Sequence, residues 1–377
     1  MRKRISAFIT PAAAVVLLLS ACNNEGVTEE GTDFEEEQIE ENEGAEETDD
    51  SGEAGVSEEV EDEIDQEPFE PVEPSENTES VESHYDEHQV SYIPGIGADG
   101  EPVERSVPLG EVLSEGVEDL SEGPLNKYRL VAFYGTPLSE HMGILGEYEP
   151  EEMMEILKKQ TEAYSEIDPA RPAVPTIELI ATIAQRDPGP DGNYVSEPVP
   201  EVIEEYVELA EKHNALLMLD VQLGGKSVME EVEQLEPYLK EPHVHLTIDT
   251  EYSISEGEIP GIDLGSVDGT EIQEAVEYMD RLTEENNLPD KIVLVHQFAD
   301  SVVTNKNEIQ PTENVQVSLN FDGFGDESVK IDGYNHLVRN EPVQYSGFKL
   351  FYQDDVPLLE PEDVLELDPA PSVVNYQ

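Results

Sequence analysis

The chain has 377 residues, and its 89 Asp and Glu outnumber its 19 Lys and Arg so strongly that the formal net charge at pH 7 is −70. A field of this sign repels phosphate groups, so nucleic acids and anionic lipid headgroups are excluded as expected partners. Cys22 is the only cysteine. An intramolecular disulfide and a cysteine-based metal site are therefore excluded as well.

The first residues are typical of an export signal. Basic residues in Met1–Arg4 precede an apolar stretch, Ala7–Leu19, and the small residues that lead to Cys22. This order predicts a signal peptide over residues 1–21. The apolar part is shorter than the about 20 residues that a helix needs to span a membrane, which argues against a retained transmembrane helix. The tetrad ending at Cys22 resembles a bacterial lipobox, which implies lipidation of Cys22 and an anchor on the outer face of the cell membrane. An ordinary signal peptide with an incidental cysteine is the alternative.

An acidic segment follows over residues 22–90. Between Asn23 and Glu87 there is no Lys or Arg and few large apolar residues. Such a composition predicts a disordered, extended spacer, since the segment cannot bury enough apolar surface to fold. Binding of metal ions or basic polymers is the alternative role. Residues 91–126, rich in Pro, Gly and Glu, are interpreted as a linker or an N-terminal flap.

Residues 127–377 alternate β-branched runs with amphipathic stretches. The runs predict eight strands: Arg129–Tyr134, Thr176–Ala184, Ala215–Gln222, His243–Glu251, Lys291–Gln297, Val315–Asp322, Gly347–Tyr352 and Val373–Gln377. The amphipathic stretches predict helices at Glu149–Ile167, Glu201–His213, Ser227–Leu239 and Thr270–Asn286. Eight such repeats predict an α/β fold, a TIM-like (β/α)8 barrel. An open doubly wound sheet is the alternative, although no Gly-rich phosphate turn follows the first strand and no cofactor is expected.

Side chains two apart on a strand share a face, so the polar face of each strand is expected inside the barrel. On the fourth strand this face carries His245, Thr247, Asp249 and Glu251, and on the sixth it carries Gln316, Ser318, Asn320 and Asp322. The carboxyl ends of barrel strands form the active site of barrel enzymes. Several carboxylates are therefore expected to converge there.

This convergence predicts a site for general acid and base chemistry, because close carboxylates have pKa values that split apart. We expect Glu251 to be the general acid and Asp249 to be the neighbour that shifts the pKa of Glu251. Asp220 or Asp322 is expected to be the nucleophile or base of a glycoside hydrolysis. The expected ligand-binding residues are Tyr134, Gln222, His296, Gln297, Asn320 and Lys349. The alternative is that these acids are ordinary solvated residues at strand ends.

Two resemblances bear on this hypothesis. Asp249-Thr250-Glu251 is similar to the Asp-x-Glu step on the same strand of barrel-fold lysozyme-type muramidases, although no acid closes the first strand, Phe133–Pro137. Residues 127–377 resemble uncharacterised bacterial surface lipoproteins, and the segments that carry the resemblance are Phe133–Pro137, Met142–Tyr148 and Asn375–Gln377. The resemblance implies a surface lipoprotein with a glycoside-hydrolase-like barrel.

No metal site is predicted. His243 and His245 are spaced like paired ligands but lie at the start of the fourth strand, opposite the expected site. Asp322–Asp326 has only part of the pattern of a calcium loop. Binding of a divalent cation by the carboxylates of the site is left as an alternative.

Two functions are considered: a surface hydrolase acting on cell-wall or environmental glycan, and a non-catalytic protein that binds a sugar or another polar ligand. A carboxyl pair about 5 to 9 Å apart in an open groove would favour hydrolysis. If the segment before Asn126 fills the carboxyl end of the barrel, this would favour binding or a structural role.

Overall fold

The computed structural model describes residues 90–96, 102–108 and 119–377. The predicted signal peptide, Cys22 and nearly all of the acidic spacer lie outside the described residues. Val90–Ile96 and Pro102–Pro108 form an antiparallel hairpin within the segment that the sequence assigns to a linker or flap. No helix among the described residues has the length and apolar character needed to cross a membrane.

Eight parallel strands close into a barrel in chain order. They are β1 (Arg129–Gly135), β2 (Ala173–Thr182), β3 (Leu216–Gln222), β4 (Val244–Asp249), β5 (Lys291–Gln297), β6 (Val315–Phe321), β7 (Tyr345–Leu350) and β8 (Val373–Tyr376). The closure is made by β8 and β1, which pair from Val373 and Leu130 onward. The predicted TIM-like (β/α)8 barrel is confirmed, and the open doubly wound sheet is wrong.

In the described part of the chain, seven α-helices pack around the strands or join them. They are α1 (Pro150–Ile167), α2 (Pro200–Lys212), α3 (Val228–Gln234), α4 (Glu236–Leu239), α5 (Gly269–Asn286), α6 (Glu327–Tyr334) and α7 (Pro361–Leu365). The single helix predicted over Ser227–Leu239 is wrong. It breaks into α3 and α4 at Leu235, next to Pro237, whose ring removes a backbone donor that a continuous helix would use.

The predicted alternation of strand faces is confirmed. On β4 the apolar Val244, Leu246 and Ile248 belong to the large cluster between barrel and helices, and the apolar residues of β6 do the same. A second, smaller apolar cluster fills the inside of the barrel near the amino ends of the strands. The carboxyl half of the interior is left to polar side chains.

Residues 119–125, which precede β1, close the amino end of the barrel. Leu125 is fully buried in the inner apolar cluster, and its backbone N–H donates to Gln316 Oε1 at 3.0 Å. Asp119 accepts hydrogen bonds from Gln316 Nε2, at 2.9 Å, and from the Tyr345 hydroxyl. The plug that these residues form therefore lies at the end opposite the carboxyl ends of the strands.

Candidate active site at the carboxyl end of the barrel

Polar side chains from all eight strands, or from the residue just after a strand, meet at the carboxyl end, which we call the mouth. They are Tyr134, Glu178, Asp220, Gln222, Asp249, His296, Asn320, Asp322, Lys349 and Asn375. Most are almost fully buried. Parallel strands bring their carboxyl ends to one edge, and inward positions alternate along each strand. These two rules of strand geometry account for the convergence.

His296 is the centre of a buried charge cluster. Its Nε2 lies 2.7 Å from Glu178 Oε1, and its Nδ1 lies 3.3 Å from Asp322 Oδ2. Asn375 Nδ2 donates to the second oxygen of Glu178. Burial alone would lower the pKa of His296, but the carboxylates of Glu178 and Asp322 outweigh it and raise this pKa well above 6.5. The ring is therefore held as an imidazolium between two carboxylates.

Asp322 is held in the ionised form by this imidazolium. Burial would raise the pKa of Asp322, but the hydrogen bond and charge of His296 dominate. The resulting pKa is below 3.8. Asp322 comes directly after the last residue of β6, and its side chain is 8% exposed. It can therefore present a negative charge at the edge of the mouth.

Glu251 has the opposite shift. Burial, followed by the charges of Asp249 and Asp322, raises the pKa of Glu251 to about 8. Its carboxyl is hydrogen-bonded to Tyr252, and both side chains are half-buried at the rim. At neutral pH this carboxyl carries a proton. The expectation that Glu251 continues strand four is wrong, because β4 ends at Asp249 and a single 3₁₀ turn, Thr250–Tyr252, carries Glu251.

A second hydrogen-bonded chain runs across β1, β3 and β4. The Tyr134 hydroxyl donates to Asp220 Oδ2 at 3.1 Å, and Gln222 Nε2 lies 3.4 Å from that hydroxyl and donates to Asp249 Oδ2 at 3.2 Å. Burial, then the charge of Asp249, raises the pKa of Asp220 well above 3.8. Burial, opposed by His296, raises the pKa of Asp249 to about 6. Burial thus raises the pKa of both carboxyls.

Lys349 supplies the second positive charge of the mouth. Its Nζ lies 3.4 Å from the centre of the Tyr134 ring, and its charge acts on Asp249, Asp322 and Glu251. In the mouth, three carboxyl oxygens have no hydrogen-bond partner among the described residues: Asp220 Oδ1, Asp249 Oδ1 and Asp322 Oδ1. A polar ligand with several hydroxyl groups, each of which can donate and accept, would satisfy these oxygens.

Two glycines make room for this arrangement. A Cβ on Gly347 of β7 would lie 2.5 Å from Asn320 Oδ1, so the inward Asn320 depends on the missing side chain. Gly143, with φ of 89°, approaches the end of β1 so closely that a Cβ would lie 2.3 Å from the Tyr134 carbonyl oxygen. The glycine-containing motif after β1 thereby fixes the position of Tyr134.

Most of the residues that the sequence assigns to the site come together, and Gln297 does not. Gln297 follows His296 on β5, so it faces the helices, where its Nε2 donates to the Leu337 carbonyl oxygen at 3.0 Å. Glu178 and Asn375 are site residues that the sequence analysis missed. Both occupy inward positions of apolar strands, where a single buried polar residue is the signal that could have found them.

A metal ion has one candidate position among the described residues. Glu178, Asp220 and His296 offer ligand atoms within 4.8 Å of one another. His296 Nε2 is engaged by Glu178, however, so the observed contact is a hydrogen-bonded ion pair. His243 and His245 do not form a ligand pair. His245 is buried and its Nδ1 accepts from Ile292 N at 3.1 Å, while His243 lies 3.1 Å from the Val207 carbonyl oxygen.

The two acids of the partial calcium-loop pattern over Asp322–Asp326 are engaged in other contacts. Asp326 caps α6 by accepting from Val329 N, and Asp322 pairs with His296.

Comparisons with known proteins identify no family. No family model matches the chain, and no curated protein matches it. Among solved structures, the chain is similar to "Crystal structure of oxaloacetate acetylhydrolase" at 10% identity, with 69% of this chain and 81% of that chain covered and a TM-score of 0.28. A likeness this low carries no argument about activity. Fold and mouth define a TIM-type barrel protein with a buried acidic site at the carboxyl end of its strands.

Proposed function

We propose that this protein is a glycoside-hydrolase-like enzyme in which Glu251 is the general acid and Asp322 is the ionised carboxylate. The observation that carries the proposal is the opposite shift of two neighbouring carboxyls: the pKa of Glu251 is raised to about 8, while that of Asp322 is lowered. Hydrolysis of a glycosidic bond needs one protonated and one ionised carboxyl on either side of that bond.

The chemistry would proceed as follows. Glu251 donates its proton to the glycosidic oxygen while the bond from that oxygen to the anomeric carbon breaks. Asp322 either attacks the anomeric carbon as that bond breaks or takes a proton from a water that attacks this carbon. In the first case a water then displaces Asp322 from the anomeric carbon, which frees the carboxylate, and gives its proton to Glu251. In the second case Asp322 releases its proton to solvent and Glu251 takes up a proton from solvent.

The neighbouring residues have supporting roles. His296 holds Asp322 ionised, and Glu178 holds His296 as an imidazolium. Burial and, after it, the charge of Asp249 keep the proton on Glu251 by raising its pKa. Asp220 was the other candidate for the nucleophile or base, but it is fully buried and its pKa is well above 3.8. These two properties favour Asp322.

The position of the N-terminal plug also favours hydrolysis over a structural role. Residues 119–125, which directly precede Asn126, pack at the amino end of the barrel, where Leu125 and Asp119 contact β6 and β7 residues. These residues therefore do not block access to Glu251 and Asp322.

Release of reducing sugar from purified peptidoglycan and a panel of glycans is the test. The full-length protein is compared with Glu251→Gln, Asp322→Asn and a matched control, Glu256→Gln, which alters an exposed acid in the loop after β4. We expect activity in the parent and the control, and a loss of at least about 100-fold in each site variant. Glycan binding without hydrolysis in all four proteins would replace the enzyme by a sugar-binding protein.

We further propose that the protein is anchored to the outer face of the cell membrane through a lipid on Cys22. Support comes from the basic, apolar and small-residue order that ends at Cys22. Incorporation of a clickable palmitate analogue is expected in the parent and not in Cys22→Ser, with the variant found in the medium. If the parent is not labelled, and parent and variant associate equally with the membrane, the proposed lipid anchor on Cys22 would be contradicted.

A further inference from the structure

Exposed apolar side chains are concentrated around the mouth. Apart from Leu120, which precedes the barrel at its amino end, the large apolar residues exposed in the described part of the chain lie on segments that follow the carboxyl ends of strands. Three of them are aromatic: Tyr148 is 39% exposed, Phe324 is 51% exposed and Tyr352 is 43% exposed. We call these three rings, which follow β1, β6 and β7, the aromatic platform.

Two of the three rings, Phe324 and Tyr352, are held in place by buried aromatic residues. Phe324 packs edge-on against Phe351, with ring centres 5.8 Å apart. Tyr352 stacks on Tyr376 at 5.2 Å, with an angle of 25° between the ring planes. Little side-chain entropy is then lost when a ligand covers the exposed faces.

The loops that carry Phe324 and Tyr352 are also tied to each other. Asp355 accepts hydrogen bonds from Gly325 N and Phe351 N, both at 2.9 Å. Lys330, buried on α6, lies 3.2 Å from the same carboxylate. One buried ion pair therefore fixes the two loops as a single rigid support.

The platform continues directly from the proposed reacting groups. Phe324 comes two residues after Asp322, and Phe351, which supports it, lies 5.3 Å from Lys349 Nζ. Carboxyl oxygens of Asp249 and Asp322 without hydrogen-bond partners face the same mouth. The combined surface therefore offers flat aromatic faces next to strong hydrogen-bond acceptors.

This combination fits a sugar polymer. A sugar ring has an apolar C–H face, which packs on an aromatic ring, and hydroxyl donors at its edge. A lipid surface would match the rings but not the acidic mouth, and a polyanionic glycan would be repelled by a chain with a net charge of −70. We propose that the aromatic platform binds successive units of an uncharged polysaccharide, which extends the proposed hydrolase site along a polymeric substrate. This inference rests on the proposed function.

Affinity electrophoresis of the full-length protein tests the platform. Native gels contain hydroxyethyl cellulose, galactomannan, mixed-linkage β-glucan or glycol chitin, with alginate as a polyanion. We expect retardation by at least one neutral polymer and none by alginate. The double variant Phe324→Ala and Tyr352→Ala is expected to bind about tenfold more weakly, which is the order of magnitude of two aromatic contacts.

Two variants serve as controls. Leu120→Ala removes an apolar side chain of 62% exposure at the other end of the barrel and is expected to keep full retardation. Glu251→Gln is expected to bind without cleaving. Circular dichroism establishes that each variant is folded. No retardation by any neutral polymer, or equal retardation of parent and double variant, overturns the proposal.

Two further outcomes separate the platform from the enzyme. Polymer binding that depends on the rings, without hydrolysis, would leave the platform standing and remove the proposed reaction. Hydrolysis of short glycosides with no polymer binding would do the reverse. Co-flotation with phosphatidylcholine vesicles that is lost in the double variant, without glycan binding, would assign the rings to a lipid surface instead.

Discussion

Glu251 is expected to make the protein less stable in alkaline solution, and Glu251→Gln should remove this effect. The pKa of Glu251 rises from 4.5 to about 8 on folding, mainly through burial. The folded chain therefore holds this proton more tightly than the unfolded chain. Between pH 4.5 and pH 8 the unfolded state loses the proton first, so the free energy of unfolding falls as the pH rises through this window.

The magnitude follows from the two pKa values. Each pH unit between them is worth about 1.36 kcal/mol, which gives an upper limit of about 5 kcal/mol for the penalty above pH 8. Because Glu251 is partly exposed and shares its proton equilibrium with nearby acids, the realised difference is smaller. We expect Glu251→Gln to exceed the parent by about 2 kcal/mol at pH 9 and to match it near pH 4.5.

Urea unfolding of the parent, Glu251→Gln and Glu256→Gln at pH 4.5, 7 and 9 measures the difference. Glu256 is exposed in the same loop and controls for the loss of one negative charge. A stability difference that is the same at pH 4.5 and pH 9, or a Glu256→Gln curve that follows Glu251→Gln, would refute the reasoning.

Three other predictions follow from the same geometry. The rate of hydrolysis is expected to fall above about pH 8 as Glu251 loses its proton, and a pH profile that stays flat to pH 10 would contradict this. His296→Gln removes the charge that lowers the pKa of Asp322, so the acidic limb of the profile should move to higher pH, unlike in a variant that is merely less stable. Leu125→Ala should lower the free energy of unfolding by about 3 kcal/mol through a cavity in the inner cluster, whereas thermal melts should show Leu120→Ala unchanged.

The polarity of the barrel interior changes along its axis. Near the amino ends the inner cluster contains Leu130, Val174 and Leu216, and near the carboxyl ends the inward positions carry charges. The acids at the mouth lose hydration on burial, and their opposite partners compensate only in part. Stability in this protein therefore comes from the amino half of the interior and the outer apolar layer, and the buried acids of the mouth oppose it.

The sequence by itself determined the barrel. Eight strand patterns, the alternation of apolar and polar positions on β4 and β6, and the helices between them follow from local periodicities of the chain. Strand ends were less accurate. The second strand starts at Ala173, three residues before the predicted Thr176. Pro175 lies inside this strand, although a proline marks a strand boundary in most sheets. Pro237 was visible as well, and it marks the break between α3 and α4.

The sequence also predicted that Asp220, Asp249 and Asp322 lie near one another, because parallel strands end at the same side of a barrel. It could not assign their roles. Asp220 and Asp322 are both strand-end acids by pattern, yet the pKa of the first is raised and that of the second is lowered. The difference is decided by His296, which contacts Asp322 and, across the barrel, Glu178.

Only the tertiary structure decided this pairing. Glu178 and His296 are 118 positions apart in the chain and lie 2.7 Å apart in the barrel. Local periodicity carries no information on such a distance, and the pKa of a buried group depends on its burial and on the charges around it. The fold was thus determined by short-range patterns, and the chemistry of the mouth by contacts that form only when the barrel closes.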